Sequence, residues 1–314
     1  MSIVSNNTGH QSEPRFRNTA VLGPILMLTS ALMFAILDII IKVIGPEFRV
    51  WDIAFYRWGG SFAIMVIIFS WRGNPFKCNN LKMMAFRSVS GCIAFLALTT
   101  AIRLAPVSTI MVLFYSFPAF AAIFSYLIFG ERISKREIFC IAAAICGVAV
   151  LLDIKLDGHL MGYILGFTAG AFAGLTVSMI KKLRDTNGPV VIYLYFCLLG
   201  AAVTFLPYIS NPTIPDTALD WLMIGGIVAT SIVAQITMNQ GFKYCKSWEG
   251  GLFLTCEMIY VAFFGIAYLG EPTNWRFWTG GLLILTSVMI LNRIKAGNTA
   301  LAKKRVAEIK AHTL

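Results

Sequence analysis

Three charged side chains lie inside long apolar runs of this chain. Asp38 lies in FAILDIIIKVIG, Arg57 in FYRWGG and Glu257 in TCEMIY. A bare Asp or Arg at the centre of a hydrocarbon layer costs about 2.5 to 3.5 kcal/mol, so such groups face protein or a watery cavity. Carboxylates and a guanidinium around one cavity can bind the ammonium and carboxylate groups of a small zwitterion. These residues are therefore candidates for substrate binding.

Asp38 and Arg57 come at matching depths in two consecutive runs. Each lies six residues from the outer end of its run, which is about 9 Å along a helix. Two interpretations stay open. Either the two form a structural ion pair, or they stand at the outer mouth of a cavity where substrate competes for them. Lys42 is near enough to the helix end for its ammonium to reach the headgroups, although an inward Lys42 would complete the cluster.

Glu257 lies eight residues into its run, about 12 Å from the cytoplasmic side and near the midplane. A carboxyl group there can hold a proton and exchange it for a cationic group, which is the chemistry of proton-coupled antiport. The alternative is a neutral Glu in a hydrogen-bonded core. We predict that Glu257 binds substrate and couples transport to a proton.

Uncharged side chains add hydrogen-bonding groups and aromatic faces to the predicted site. Tyr115, Gln235, Asn239 and Tyr260 are candidates for substrate hydrogen bonds, or they bond to neighbouring helices instead. Aromatic rings attract cations such as an ammonium or sulfonium, although many aromatic residues in membrane helices serve packing or anchoring. The possible contributors of this kind are Tyr56, Trp58, Phe95, Phe114 and Tyr195.

The elements that position these residues are membrane-spanning helices. Of 314 residues, 58% are hydrophobic and 13% charged, with a mean hydropathy of +0.75, unlike a soluble domain. Runs of about 20 apolar residues are long enough to cross ~30 Å of hydrocarbon, where only helices satisfy their own backbone. We predict an all-α integral membrane protein with ten transmembrane helices, over residues 21–44, 51–71, 83–104, 106–129, 137–153, 160–180, 188–209, 219–242, 249–269 and 275–292.

The placement of basic residues predicts the topology. The net charge of +11 does not indicate nucleic acid, because Lys and Arg are dispersed among short loops. With the amino terminus inside, most of them, Arg87 included, fall in cytoplasmic segments. This bias predicts cytoplasmic termini and favours a bacterial inner membrane. The opposite side receives only Arg49, Arg103, Lys155 and Arg276.

Signatures of enzymes and metal sites are absent from the sequence. It contains no glycine-rich phosphate loop, HExxH motif or nucleophile elbow. The three histidines are scattered, and the seven cysteines form no CxxC pair. We therefore predict no enzymatic activity, no cofactor and no metal site.

The segment GYILGFTAGAFAG places four glycines four positions apart, at Gly162, Gly166, Gly170 and Gly174. Small residues at this spacing let helices approach closely. The spacing favours static packing within the chain or a dimer contact. A sliding seam between two moving halves is the alternative.

The sequence also contains an internal repeat. A shift of 140 positions places Gly130 on Gly270 and Glu131 on Glu271, and a shift of 139 places Tyr56 on Tyr195. Because each unit has five helices, the second copy enters the membrane from the opposite side. This pattern predicts two inverted five-helix repeats, which suit alternating access.

Two five-helix halves, each with a Gly-Glu turn in "FGERIS" and "LGEPTN", resemble the EamA-type drug/metabolite transporter superfamily. RLAPVSTIMVLFYSFPAFAAIF is similar to bacterial carriers of metabolites, including S-adenosylmethionine and amino acids. The resemblance implies a ten-helix carrier with a central cavity. It divides the chain into a cytoplasmic segment at 1–20, repeats at 21–153 and 160–293, and a basic cytoplasmic tail at 294–314.

We therefore predict a secondary transporter in the lipid bilayer that moves a small organic metabolite by alternating access. The mixed charges favour an amino acid or derivative. The alternatives are an exporter of drug-like or lipid-like compounds and a non-transporting membrane scaffold. A scaffold predicts that all interior charges are paired with one another.

Overall fold

The computed structural model describes residues 14–44, 47–71, 74, 76–105, 107–130, 133–152, 159–269, 275–276, 278–291 and 293–294. Lys155 and, except for residue 294, the predicted tail lie outside these residues. The described residues contain no strand. Their helices are α1 Pro14–Val43, α2 Val50–Ser70, α3 Leu81–Leu104, α4 Val107–Phe114, α5 Phe117–Phe129, α6 Lys135–Leu152, α7 Leu160–Leu183, α8 Pro189–Ile209, α9 Ala218–Gly241, α10 Ser247–Leu254, α11 Glu257–Leu269 and α12 Trp278–Leu291.

The helices confirm an all-α membrane fold. Within the described ranges, eight helical segments are long and apolar enough to cross a bilayer, the first over Val21–Val43. The two other predicted spans correspond to α6 and to the shorter apolar helix α12. The number of ten spans therefore stays a prediction. Helix α1 also begins earlier than predicted, inside the segment assigned to residues 1–20.

The fourth and ninth predicted spans, 106–129 and 249–269, are each interrupted by a short break in the helix; these breaks are called here the first bend and the second bend. Helix α4 ends at Phe114 and α5 begins at Phe117. In the second half, α10 ends at Leu254 and α11 begins at Glu257. The two bends occupy matching positions of the repeat, and bent helices in matching halves are where transporters of inverted-repeat design bind substrate.

Local hydrogen bonding explains both bends. In the first half, Pro118 has no N–H to donate to the carbonyl of Phe114 in the preceding turn. The second half has no proline in this span. There the N–H of Thr255 bonds to the carbonyl of Leu252 at 3.2 Å, and the Thr255 hydroxyl donates to the same carbonyl at 2.7 Å. Hydroxyls that bond back to the preceding turn bend helices.

The two halves are interleaved in the way an inverted repeat requires. Helix α3 packs on α7, α9 packs on α1, and α2 packs on α8. In the repeat, α3 corresponds to α9, α7 to α1 and α2 to α8. The α3–α7 and α9–α1 contacts are therefore equivalent under the repeat. The α2–α8 contact joins two equivalent helices. Both features are expected when a two-fold axis relates the halves.

The glycine stripe of α7 lies against the bent span α4–α5 of the other half. A Cβ atom added at Gly174 would lie 2.5 Å from the Cβ of Phe120, and one at Gly170 would lie 2.8 Å from the carbonyl of Leu113. Glycine is therefore needed for backbones to touch at these positions. The stripe is an intramolecular packing surface, and it lies between the two halves.

Candidate substrate site

Asp38 and Glu257 come from different halves and meet in the interior. Asp38 lies on α1, and Glu257 opens α11 directly after the second bend. Their carboxyl groups lie within hydrogen-bonding reach of each other, and Glu257 is also within reach of the Tyr115 hydroxyl at the first bend. A hydrogen bond between two carboxyl groups needs a proton on one of them. Two carboxyl groups placed this way can share one proton.

Arg57, on α2, faces this carboxyl pair without touching it. Its side chain is largely buried, and its guanidinium carbon lies 5.5 Å from the centre of the Phe95 ring. Arg57 interacts electrostatically with both carboxyl groups, but no ion pair between described residues includes it. The direct ion pair between Asp38 and Arg57, left open by the sequence, is therefore not formed.

A chain of buried hydroxyl groups fixes the orientation of Arg57. Its Nε donates to the Oγ of Ser231 on α9 at 2.8 Å. The same Oγ lies 2.9 Å from the Tyr193 hydroxyl, which donates to Ser61 at 3.0 Å. No described residue accepts a hydrogen bond from the two Nη atoms of Arg57. The edge of the guanidinium that binds a carboxylate in a bidentate manner is therefore unused.

Lys42 and Tyr56 lie apart from these groups. Lys42 is exposed, as expected if its ammonium reaches the headgroups. The Tyr56 hydroxyl lies 2.9 Å from that of Tyr208 and donates to the carbonyl of Thr213 at 3.0 Å. Tyr56 thus joins the two halves at the face that the charge bias predicts to be the outer one (called the outer face below) and does not line the interior.

The remaining polar candidates divide between the interior wall and the face that the charge bias predicts to be cytoplasmic (called the cytoplasmic face below). Gln235 lies on α9, one turn toward the cytoplasm from Ser231, and its buried Oε1 has no hydrogen-bond partner among the described residues. Asn239 lies one turn further on. Its side-chain nitrogen donates to the carbonyl of Pro189 at 3.1 Å, so it supports the cytoplasmic loop. The buried Oδ1 of Asn239 likewise has no hydrogen-bond partner among the described residues, so Gln235 and Asn239 each keep an acceptor that a ligand can use.

Two aromatic candidates lie next to the bends. The Phe114 ring packs at 5.3 Å from that of Tyr115 and at 5.8 Å from that of Phe117, which shapes the first bend. Tyr260 lines a cavity of about 240 Å³ between α1, the second bend and α12. Its walls are mainly apolar side chains, such as Leu28, Phe253 and Val288.

Arg87 is an interior residue that was not among the predicted site residues. It was assigned to a cytoplasmic segment, but it lies on α3 and is only 1% exposed. The assignment was wrong because a charge near a helix start was taken to mark the loop. Position 87 lies four residues inside the predicted span 83–104. This position within a predicted helix is the signal in the sequence that Arg87 is an interior residue.

Polar contacts close the outer face between the halves. Arg49, before α2, makes two hydrogen bonds of 2.9 Å to the carboxylate of Asp52, which raise the pKa of its guanidinium. Its Nη2 also donates to the carbonyl of Asn211 in the second half. Thr213 donates to Asp52 at 3.0 Å. These bonds join the start of α2 to the segment after α8.

Equivalent contacts close the cytoplasmic face. Tyr195, the repeat partner of Tyr56, donates to the carbonyl of Phe76 at 3.0 Å. Asn79 and Asn187 exchange hydrogen bonds of 2.8 and 3.0 Å. Arg184 donates to the carbonyl of Asn239 at 3.0 Å, and burial lowers its pKa. Hydrogen bonds thus join the two halves at both faces.

The fold and this site define a class: a multi-pass helical membrane protein whose polar interior is shared by two inverted halves. A family model described as "EamA-like transporter family" matches residues 21–153 and again 160–293. The chain belongs to the EamA-like transporter family and contains two EamA repeats. It is a membrane transporter and not an enzyme.

Relatives agree with this assignment over most of their length. The chain is 20% identical to the "Pseudopaline exporter CntI" of Pseudomonas aeruginosa, over 88% of this chain and 97% of that protein. It is 21% identical to "Solute carrier family 35 member G1" of Mus musculus, over 89% and 81%. A solved crystal structure has the same fold, with a TM-score of 0.76 at 15% identity, over 87% of this chain and 97% of that one.

Proposed function

We propose that this transporter is a secondary carrier of a small zwitterionic metabolite, an amino acid or a derivative of one. The observation that carries the proposal is the guanidinium edge of Arg57, which is unused and faces the Asp38–Glu257 pair. A fully paired interior, as a scaffold predicts, would leave no such edge. The relative named as an exporter of pseudopaline supports an organic substrate.

The substrate carboxylate binds to Arg57. A guanidinium offers two parallel N–H groups to a carboxylate, and such charge-assisted pairs are stronger than neutral hydrogen bonds. Ser231 holds Nε, so the Nη edge is already oriented before the substrate arrives. Preorganisation of this kind lowers the cost of binding.

The substrate cation binds to the carboxyl pair and displaces its proton. An ammonium or sulfonium between Asp38 and Glu257 favours two ionised carboxylates, because each then has a counter-charge. The other titratable groups around the pair are Arg57, Tyr115 and Cys256. Binding of one cation and release of one proton at the same place is the basis of antiport.

Alternating access arises at the two bends. Both lie next to the site, and the α7 stripe gives the first bend a smooth surface to move along. The outer contacts of Tyr56 and the cytoplasmic contacts of Tyr195 open in turn. A bacterial inner membrane with cytoplasmic termini is the location that we propose, from the charge bias of the loops.

The test is the thermal stability of the purified protein with amino acids, nucleosides, sulfonium compounds, quaternary amines and carboxylates, at pH 6 and pH 8. A ligand at one hundred times its Kd stabilises the folded state by about 2.7 kcal/mol. We expect one zwitterionic class to raise the Tm. Arg57→Gln should abolish this shift. Lys182→Gln is the matched control, since Lys182 is exposed and pairs with Asp185 at the surface. An unchanged shift in Arg57→Gln contradicts the proposal.

A second candidate function is export of a lipid-like or drug-like compound. The observation that favours it is the apolar cavity of about 240 Å³ beside α12, which lies between α1 and the second bend. This function predicts that the stability panel responds to apolar compounds only. The response would then be independent of Arg57.

A further inference from the structure

Arg87 is a buried cation for which the protein supplies no anion. Its Nε and Nη1 are fully buried and have no hydrogen-bond partner among the described residues. Buried polar groups are nearly always hydrogen-bonded, and a guanidinium does not lose its charge in proteins. An unpaired charge in this position is costly, so its retention indicates a ligand.

The surroundings of Arg87 are aromatic and neutral. Its guanidinium lies 4.3 Å from the centre of the Phe196 ring on α8. The titratable groups in electrostatic range are Cys92, Cys197 and Tyr193, and none of them is a carboxyl group. Within the described part of the chain, no acidic side chain pairs with Arg87.

A continuous aromatic wall connects Arg87 to Arg57. The Phe196 ring lies 5.4 Å from that of Trp58, which lies 4.9 Å from that of Phe95 under Arg57. The Nε1 of Trp58 is a further buried donor without an acceptor among the described residues. Cys197 interacts electrostatically with both guanidinium groups. The aromatic wall therefore has more buried N–H donors than acceptors, and it is positively charged.

The two arginines lie at similar depths from opposite membrane faces. Arg57 is seven residues from the predicted outer start of α2, and Arg87 is six residues from the predicted cytoplasmic start of α3, so they are about 9 to 11 Å deep. An anion that leaves Arg57 toward the cytoplasm therefore meets Arg87 along the same wall.

Arg184 shows how a purely structural buried arginine is satisfied in this protein. Its Nε donates to the carbonyl of Asn239 at 3.0 Å, its Nη2 to the Oε1 of Gln240 at 2.7 Å, and its Nη1 to the carbonyl of Asn187. Arg87 is less accessible still, yet its Nε and Nη1 have no such bonds among the described residues. The contrast separates a structural role from a binding role.

We propose that Arg87 is a second anion-binding residue, which receives the substrate carboxylate from Arg57 when the cytoplasmic side opens. The identity of the anion rests on the proposed function, whereas the presence of an anion site does not. In the state described here the site is closed, and Phe196 covers one face of the guanidinium. Opening of the cytoplasmic contacts exposes its Nε and Nη edge.

The first test compares the Tm of Arg87→Met with that of Arg184→Met. Met keeps an apolar contact with the Phe196 ring and removes the unpaired charge, so Arg87→Met should melt at or above the wild-type Tm. Arg184→Met removes three hydrogen bonds and should lower the Tm. If Arg87→Met lowers the Tm as well, Arg87 is a structural residue and the proposal fails.

The second test uses sodium acetate as a probe, with ionic strength held constant by a bulky sulfonate salt. Acetate should still raise the Tm of the Arg57→Gln variant, which lacks the first site. Acetate should not raise the Tm of the double variant Arg57→Gln/Arg87→Met. Absence of any acetate response in Arg57→Gln, or a response that survives in the double variant, overturns the proposal.

These outcomes also separate this inference from the proposed function. A stability panel without any zwitterion response, together with an acetate response that needs Arg87, would retain the anion site and reject the zwitterion. A zwitterion response that needs Arg57, together with a destabilised Arg87→Met, would retain the proposed function and reject the second site.

Discussion

The Arg57 guanidinium has five N–H groups, and the described residues accept a hydrogen bond only from its Nε. In the same interior, two carboxyl groups share one hydrogen-bonding contact and have no salt-bridge partner among the described residues. Opposite charges that face each other without contact are expensive in a membrane protein. A zwitterion between them satisfies both sets at once.

Arg57→Lys and Arg57→Gln should both weaken binding of the zwitterion that raises the Tm. Lys keeps the charge but lacks the planar fork, and the lost charge-assisted bonds are worth about 1.5 to 3 kcal/mol. We expect a Kd at least about tenfold higher for Lys and higher still for Gln. Equilibrium binding by calorimetry measures both. Equal Kd values for the wild-type protein and Arg57→Gln would contradict this role.

Glu257→Gln should remove the pH dependence of binding. In the wild-type protein, protons compete with the substrate cation for the carboxyl pair, so the affinity should be lower at pH 6 than at pH 8. Gln has nearly the same shape and no titrating proton. The Glu257→Gln variant should therefore bind the substrate weakly, with nearly the same Kd at both pH values. Asp52→Asn is the matched control, because Asp52 serves Arg49 and Thr213 at the outer face. A pH dependence that survives in Glu257→Gln contradicts the coupling role.

At the scale of the helices, the bends and the glycine stripe set the positions of these side chains. The first bend places Tyr115, and the second places Glu257, so both reach the same point from opposite halves. The stripe lets α7 touch the first bend backbone to backbone. In α1 the equivalent positions are Ala31 and Ala35.

Gly174→Ala tests the stripe. The added Cβ would lie 2.5 Å from the Cβ of Phe120 and 2.7 Å from the backbone nitrogen of Ala121. Overpacking of this kind costs about 1 to 3 kcal/mol, so the Tm should fall and transport should slow. Gly225→Ala is the matched control, because nothing lies within 4 Å of its added Cβ. That variant should be equally or slightly more stable, by about 0.5 to 1 kcal/mol. Equal melting of the two variants contradicts the close contact.

The sequence predicted the class of fold and the candidate charges better than their contacts. Hydropathy and the repeat led to an all-α membrane fold, because both are encoded locally along the chain. The bend at Thr255 leaves little signal, since no proline marks it. The contact between Asp38 and Glu257 joins residues from different halves, so no spacing within one helix reveals it. Arg87 was misplaced because charge near a helix end normally marks a loop.

At the scale of the whole molecule, the halves are tied together at both faces by equivalent tyrosines. Tyr56 bonds to the carbonyl of Thr213 at the outer face, and Tyr195 bonds to that of Phe76 at the cytoplasmic face. Hydrogen bonds therefore join the two halves at both faces. Opening of either face breaks the bonds described there, each worth about 0.5 to 1.5 kcal/mol.

Tyr56→Phe and Tyr195→Phe should shift this balance in opposite directions. Loss of the outer hydroxyl should favour the outward-open state, and loss of the cytoplasmic hydroxyl should favour the inward-open state. Hydrogen exchange should therefore rise near residues 208–213 in the first variant and near residues 76–79 in the second. Each variant is the control for the other. The same exchange pattern in both would contradict separate outer and cytoplasmic contacts.

The central claim is that one zwitterion bridges Arg57 and the Asp38–Glu257 pair. Its most direct test is the binding affinity of the zwitterion that raises the Tm, compared with its methyl ester and its N-acetyl derivative. The ester lacks the carboxylate, and the acetyl derivative lacks the cation. We expect each derivative to bind at least about tenfold more weakly, since each leaves one set of interior charges unsatisfied. If either derivative binds as tightly as the parent compound, the bridging geometry is contradicted.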